Sequence, residues 1–595
     1  MKQLLIHNQT YILERIKQLL VLTLLIANSL FVSAQQNKNS TLTKSSQETI
    51  FLHSNTTTFL TGETLFYKLY CLNPINNKPS LISKIAYIEL VDNEKQSFQK
   101  NKVYLDKGIG TGDYFIPTTL KTGNYKLIAY TKWMLNNPKS QTYEIDLFII
   151  NPFQTQEPNA NVTFDNTLKN SVSSTNISTD SNLDNEKRID FELDKNSYYT
   201  RDKASIKVKS LTEITQKGNY SISVRKKDQI PALKQTTPQE FAKKTARNYS
   251  DYSPSSFLFI PELRAELITG SIVSKTNQDL NNKSLSISLP GKEYVLKIVK
   301  TNSQGKFTFL LDQFPNFSNA IIQVLDENPS DFTVLLDPLP KLDTSGLQFS
   351  SKLNLTEDLK KDIEERSTAS QIQNAYYQTK KDSLIQEAVI SPFFNSIEKT
   401  YVLDDYTRFP TLKENVVEII LELYYRRVND KNQLFVRNGH KDLTAYGPPL
   451  IIVDGLLIQD SSDLFDYNMG NVDKVSLINE PYAYGPKLYG GLISFETKNS
   501  DFAINFVKKY MKPTEVQRPN PAKIYYNPDY SAGNNLKRIP DYRYQLLWEP
   551  TLSLDKKEET LSFYTSDLKG DFEVVLEGFT DEGKPVYITK NITVK

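Results

Sequence analysis

Short extended runs, closely punctuated by turns, set the strongest limit on what this chain can fold into. Between residues 48 and 153 the runs fall at 49–53, 65–72, 85–91, 103–105, 114–116, 125–131 and 143–149. Breaks such as Gly62-Glu63 and Thr122-Gly123-Asn124 separate them. Runs this short exclude long helices. Period-two alternation, plainest in Phe66-Tyr-Lys-Leu-Tyr-Cys-Leu72, turns one face to a core. The combination predicts a two-layer antiparallel sandwich. Tyrosine (34) and phenylalanine (30) are abundant beside 21 glycines, which suits strands with aromatic faces. Trp133 and the tyrosines are expected to fill that core. Cys71, the only cysteine, has no intramolecular disulfide partner and reads as a small core residue.

The rest of the chain divides by composition. Residues 154–187 are rich in Asn, Ser and Thr and poor in large apolar groups, the signature of a flexible linker. A second β region is expected at 188–255, ending in a breaker-rich irregular stretch from Gln229 to Ser255. A third β unit occupies 256–342, with a polar-glycine turn at Asn302-Ser-Gln-Gly305. Residues 343–400 read as a charged, helix-permissive spacer with Thr356 as N-cap. In 401–510, Thr411 and Glu414 form a capping box. The helix behind it carries Val416, Val417, Ile420, Leu421 and Tyr424 on one apolar face. Strands follow, giving an α+β module. Residues 511–595 are expected to form a separate terminal β-sandwich with Trp548 buried.

Several of these segments resemble known families. The run GE-T-L at 62–65, the strand ending Leu90-Val91-Asp92 and Tyr125 through Met134 resemble the macroglobulin-type domain of exported Bacteroidetes proteins. Residues 189–224 carry a further macroglobulin-like or Ig-like pattern. The third unit is similar to carboxypeptidase-regulatory-like domains, which hold no peptidase chemistry. Most specific is 448–498, where Val453-Asp454-Gly455, a strand at 472–478, Tyr484-Gly485 and Gly491-Leu-Ile-Ser-Phe-Glu-Thr-Lys498 follow in order. That order resembles the plug domain of Bacteroidetes TonB-dependent receptors.

A receptor plug sits in a barrel of on the order of 22 strands, which needs several hundred further residues. About a hundred follow here, so no transmembrane barrel is expected. The N-terminal Lys2, Arg15 and Lys17, the apolar run 19–32 and Val32-Ser33-Ala34 read as a cleavable signal peptide over residues 1–34. The run is shorter than the roughly 20 residues that a membrane-spanning helix requires. Lys+Arg (71) balances Asp+Glu (69), so no electrostatic footprint for nucleic acid is present.

The search for chemistry narrows the function. No Cys-Gly-Glu-Gln run is available for a macroglobulin thioester, and Cys71 precedes Leu-Asn-Pro. His53 and His440 lie far apart without an H-E-x-x-H motif, which argues against a zinc peptidase. Neither a G-x-S-x-G elbow nor a phosphate-cradling loop is evident. Asp404/Asp405 and Asp460/Asp463 lack the oxygen-donor spacing of a calcium loop and read as turn residues. No catalytic, cofactor or metal residue is therefore assigned.

The expected fold is mainly β: serial macroglobulin/Ig-like sandwiches plus one small α+β plug-like domain. The expected function is a non-enzymatic exported scaffold, periplasmic and associated with the outer membrane. It would bind an outer-membrane barrel protein or complex through its plug-like domain. Asp454, Gly455, Tyr482, Tyr484 and Tyr489 are the nominated contacts, unless the tyrosines brace the module's own core. The alternative is an accessory of TonB-linked nutrient uptake that binds a glycan or other small ligand.

Overall fold

A computed structural model describes residues 47–137, 142–154, 188–248, 259–313, 319–349, 355–385, 392–394, 399–531 and 535–595. The expected signal peptide, and the linker from residue 155, lie outside them. The fold is mainly β, built from open sheets of two to five strands, and none closes into a barrel among the described residues. No described helix is long and apolar enough to cross a membrane.

The first sandwich joins a 3-stranded sheet to a 5-stranded one. Strand Thr64–Leu72 lies between Thr49–Ser54 and Ile109–Phe115. Leu65, Tyr67, Leu69 and Cys71 point into the core, as period two requires. The other face is buried too: Tyr70, Leu72 and the neighbouring strand's Phe51 pack with Phe241 and Phe579 from outside the sandwich. Tyr87 and Tyr130 stack in the interior at 5.6 Å. Trp133 departs from expectation. It sits half-buried at the start of a 3-10 turn, and Met134 takes the core position.

The second β region and the terminal sandwich are one domain. Strand Gly218–Lys226 is flanked on one side by Gln545–Ser553 and on the other by Gly570–Thr580. Lys203–Ser210 pairs with Glu558–Tyr564 in the facing sheet. Ile206, Ile222 and Val224 share a core with Leu546, Phe563, Val574 and Ile588. This corrects the expected boundaries at 188–255 and 511–595. The middle of Gly218–Lys226 is buried on both faces, so it needs a neighbour on each edge, and both are supplied from the far end of the chain.

Everything between is inserted, and the insertion is itself nested. The third unit forms a sandwich of Glu266–Ser274, Lys306–Leu311 and Phe332–Leu336 against a second sheet of Val295–Lys300, Ser284–Leu289 and Asn319–Leu325. The expected Asn302–Gly305 turn is present, closed by Gly305 N–H on Asn302 O at 2.9 Å. That second sheet gains an edge strand, Lys512–Glu515, from beyond the α+β module. Pro513 is tolerated there because an edge has one unpaired side.

The α+β module orders its strands as Lys399–Val402, Val472–Ile478, Leu492–Thr497, Leu450–Val453 and Leu456–Ile458. Helix Leu412–Glu418 carries the expected Thr411/Glu414 capping box. Its apolar face is narrower than expected. Leu412 and Val416 are buried in the helix and Ile420 just beyond it, whereas Val417 and Leu421 are exposed, because only two turns form.

Two further segments differ from expectation. The supposedly irregular stretch after Gln229 holds helix Pro238–Asn248, opened by Thr237 and Glu240 bonding reciprocally, with Phe241 buried. The 343–400 spacer contains helix Lys360–Ala375, preceded by a 3-10 turn that displaces Thr356 from the N-cap. It acts as a bracket. Arg366 donates to Glu63 Oε1 and Oε2 (both 2.7 Å) and Thr58 O (2.7 Å) in the first sandwich, and to Asp228 (3.0 Å) beside the split one.

Candidate functional site

The nominated contact residues do come together, but inward. Asp454 adopts φ +48° and is 2% exposed. Its carboxylate accepts from Thr497 N (2.8 Å), Thr497 Oγ1 (2.6 Å) and Phe502 N (3.2 Å), so it fixes the turn. Gly455 follows at φ +82°, and a Cβ there would lie 2.2 Å from Tyr294 Cβ in the inserted sandwich. Tyr482 and Tyr489 face each other across a hairpin. The Tyr484 hydroxyl donates to Leu296 O, and its ring lies 4.2 Å from that of Phe393. With Tyr294, Leu296 and Ile298 these side chains seal the module onto the inserted sandwich. The tyrosines brace a seam between domains and do not form a free docking face.

Three of the aspartates weighed as calcium ligands, Asp404, Asp460 and Asp463, are engaged locally. Asp404 pairs with Arg408 at 2.6 Å, and Asp460 accepts from Lys431 and Gln433, each at 2.7 Å. No group of three or more His, Cys, Asp or Glu that could hold a metal is present among the described residues.

A well-formed concavity lies elsewhere, where the chain leaves the split sandwich and re-enters it. Lys226 N–H donates to Tyr544 O at 2.8 Å, so exit and re-entry adjoin. Beside them opens a cavity of about 570 Å³. Its volume falls within the roughly 300–1,000 Å³ common for ligand pockets. The first sandwich supplies Phe66, Asp113 and Phe115, and helix Lys360–Ala375 supplies Ser370, Gln373 and Asn374. Tyr377, Lys380 and Asp382 follow that helix, Arg225 comes from strand Gly218–Lys226, and further wall comes from 523–526 and 542–548.

Aromatic rings make up much of the walls. Phe66 meets Tyr525 edge-on at 4.9 Å and stacks over Trp548 at 6.0 Å. Phe115 and Tyr377 are 50% and 57% exposed and offer free faces. The carboxylates are engaged. Asp113 accepts from Lys523 at 2.8 and 3.0 Å, Asp382 accepts from Tyr526 N at 2.9 Å, and Glu63 is held by Arg366. Arg543 is likewise committed to Asp541, at 2.8 Å. Two cations are less compensated. Burial, then repulsion from Arg366, pulls Arg225 down to about 10, and burial pulls Lys380 down to about 8. Sequence reasoning missed this site because its residues come from six separated stretches of the chain. The one local signal was the dense aromatic spacing Tyr525, Tyr526, Tyr530, Tyr542, Tyr544, Trp548.

A second polar constellation joins the first and split sandwiches. His53 Nδ1 lies 2.9 Å from Ser221 Oγ and 3.3 Å from Glu577 Oε1. A nucleophilic triad needs serine and acid on opposite ring nitrogens and a serine open to substrate. Here both meet the same nitrogen, and Ser221 has no exposed surface. Lys68 sits nearby, also wholly buried, donating to Tyr220 O at 2.9 Å and to Asn219 Oδ1. The cluster is a structural lock.

No family model matches the chain, and no curated protein matches it. Among solved structures, Salmonella alpha-2-macroglobulin reacted with methylamine aligns at TM-score 0.22 and 9% identity, over 92% of this chain and 39% of that one. Native Escherichia coli alpha-2-macroglobulin gives 0.22 and 10%, over 92% and 40%. The teleost fish polymeric Ig receptor ectodomain gives 0.13 and 8%, over 31% and 72%. The chain thus spans about two-fifths of the macroglobulins it aligns with. Scores at this level assign neither family nor function.

Proposed function

We propose that this protein is a non-enzymatic, exported binding scaffold that serves outer-membrane machinery and takes a small ligand, such as a glycan, in its interdomain cleft. The observation that carries the reading is the cleft itself. Rings from five separated stretches of the chain wall it, and two sandwiches and a bracketing helix hold its shape. Preformed concavity with aromatic walls and a few placed polar groups is the general form of a ligand site. The plug-like module supports the outer-membrane part of the proposal through its sequence resemblance alone. Its Asp454–Gly455 turn and its tyrosines are engaged with the inserted sandwich, so partner contact falls to other surfaces.

Thermal unfolding of the full chain against a panel of oligosaccharides tests the ligand reading. One class of sugar should raise the melting temperature, and Tyr525→Ala should abolish the rise. No shift with any sugar would contradict it. Co-purification from detergent-solubilised envelopes tests the partner. A stoichiometric outer-membrane protein is expected, and a monomer with no companion is the contrary result.

A further inference from the structure

We infer that the cleft selects an acidic oligosaccharide, one whose sugars carry carboxylate or sulfate groups. The inference rests on the cleft being the ligand site and follows from which polar atoms there lack partners. Among its lining residues the buried unpartnered atoms are Arg225 Nη2, Gln373 Nε2 and Trp548 Nε1. All three are donors. The carboxylates of the cleft each already hold a donor: Glu63 takes Arg366, Asp113 takes Lys523 and Asp382 takes the amide of Tyr526.

The two under-compensated cations add sign to this pattern. Arg225 Nη2 stands 3.9 Å from Glu63 Oε2, too far for a hydrogen bond, and both Glu63 oxygens are turned to Arg366. Lys380 Nζ donates only to neutral oxygens, Gln373 Oε1 (2.6 Å) and Pro540 O (2.7 Å). That bond also fixes Gln373 with its amide nitrogen unmatched. A buried donor without an acceptor is destabilising, so a ligand that supplies acceptors recovers energy already lost in the empty cleft.

The complementary ligand is therefore rich in acceptors, anionic, and flat enough for aromatic walls. A uronate or sulfated sugar meets all three conditions: charged oxygens for Arg225 and Lys380, and an apolar ring face for Phe115 and Tyr377. An extended acidic peptide fits less well. Its backbone N–H groups would need acceptors, whereas the buried unpartnered atoms of the cleft are all donors.

Isothermal titration of the full chain tests this with tetragalacturonate, a sulfated galactose tetrasaccharide, neutral galactotetraose and tetraglutamate. At least one acidic sugar should bind tenfold or more tighter than the neutral one. Arg225→Gln and, independently, Lys380→Gln should each weaken acidic binding about tenfold while leaving the fold intact by circular dichroism; having two variants guards against one that misfolds. The arm that binds separates carboxylate from sulfate. Neutral and acidic sugars binding equally would overturn the acidic selectivity and leave the cleft a sugar site. Tetraglutamate binding without any sugar would overturn the glycan class. No binding in any arm would remove the cleft as the ligand site altogether.

Discussion

Glu577, His53 and Lys68 meet between two sandwiches, and water reaches almost none of their surface. Burial pushes Glu577 up to about 8, against an opposing pull from Lys68. The unfolded chain releases that proton near 4.5, the ordinary value for a glutamate, so folding takes up a proton between those limits. Stability from this group is complete below about 4.5 and is lost as pH rises through 8. His53 runs the other way. Burial, then Lys68, lowers it from 6.5 to about 3, so its contribution is lost as pH falls between those values. The two slopes oppose each other where their windows overlap. Glu577→Gln isolates one of them. In urea unfolding, the stability of the parent chain relative to the variant should fall between pH 4.5 and 8, at up to about 1.4 kcal/mol per pH unit, and then level off. Parallel curves would show that the carboxyl ionises normally. None of this is legible in sequence: His53 and Glu577 lie more than 500 residues apart, and nothing local to Lys68 says what it will meet.

Elements were legible where their signals are local. The Thr411/Glu414 box, the Asn302–Gly305 turn and most strands of the first sandwich need only neighbouring residues. Thr237-Pro238-Gln239-Glu240 carried an equally local start signal, a capping box with proline at the first helical position, yet its surrounding breakers read as irregular chain. Helix Lys360–Ala375 was expected as a helix but not as a bracket, since nothing in its sequence says what Arg366 will meet. Arg366 is 3% exposed at its side chain and answers two carboxylates and a carbonyl. Removing it strands Glu63 and Asp228. Arg366→Met should cost roughly 3–5 kcal/mol in chemical denaturation, and Arg366→Lys should restore only part because an ammonium lacks the fork. A loss under about 1 kcal/mol would mean the helix is not a bracket.

At the scale of the whole molecule, nesting is the organising fact. The split sandwich encloses the inserted one, which borrows Lys512–Glu515 from beyond the α+β module that it encloses in turn. Period-two strands look alike whether their partner is next in sequence or at the far end, so composition alone suggested beads on a string. Since Lys226 and Tyr544 are hydrogen-bonded neighbours, residues 188–228 joined to 541–595 by a short Gly/Ser linker should fold as a β domain with one cooperative melt. An unfolded product would show that the two halves do not make a domain. The same junction shapes the cleft, for Arg225, Tyr544 and Gln545 stand where the chain departs and returns. With only two tryptophans in the chain, Trp133→Phe leaves Trp548 as the sole indole reporter in that wall. Titrating this variant with the oligosaccharides that raise the melting temperature should give a saturable change in Trp548 emission, with the same midpoint as calorimetry. Binding by calorimetry with Trp548 emission unmoved would place the ligand elsewhere and contradict the account.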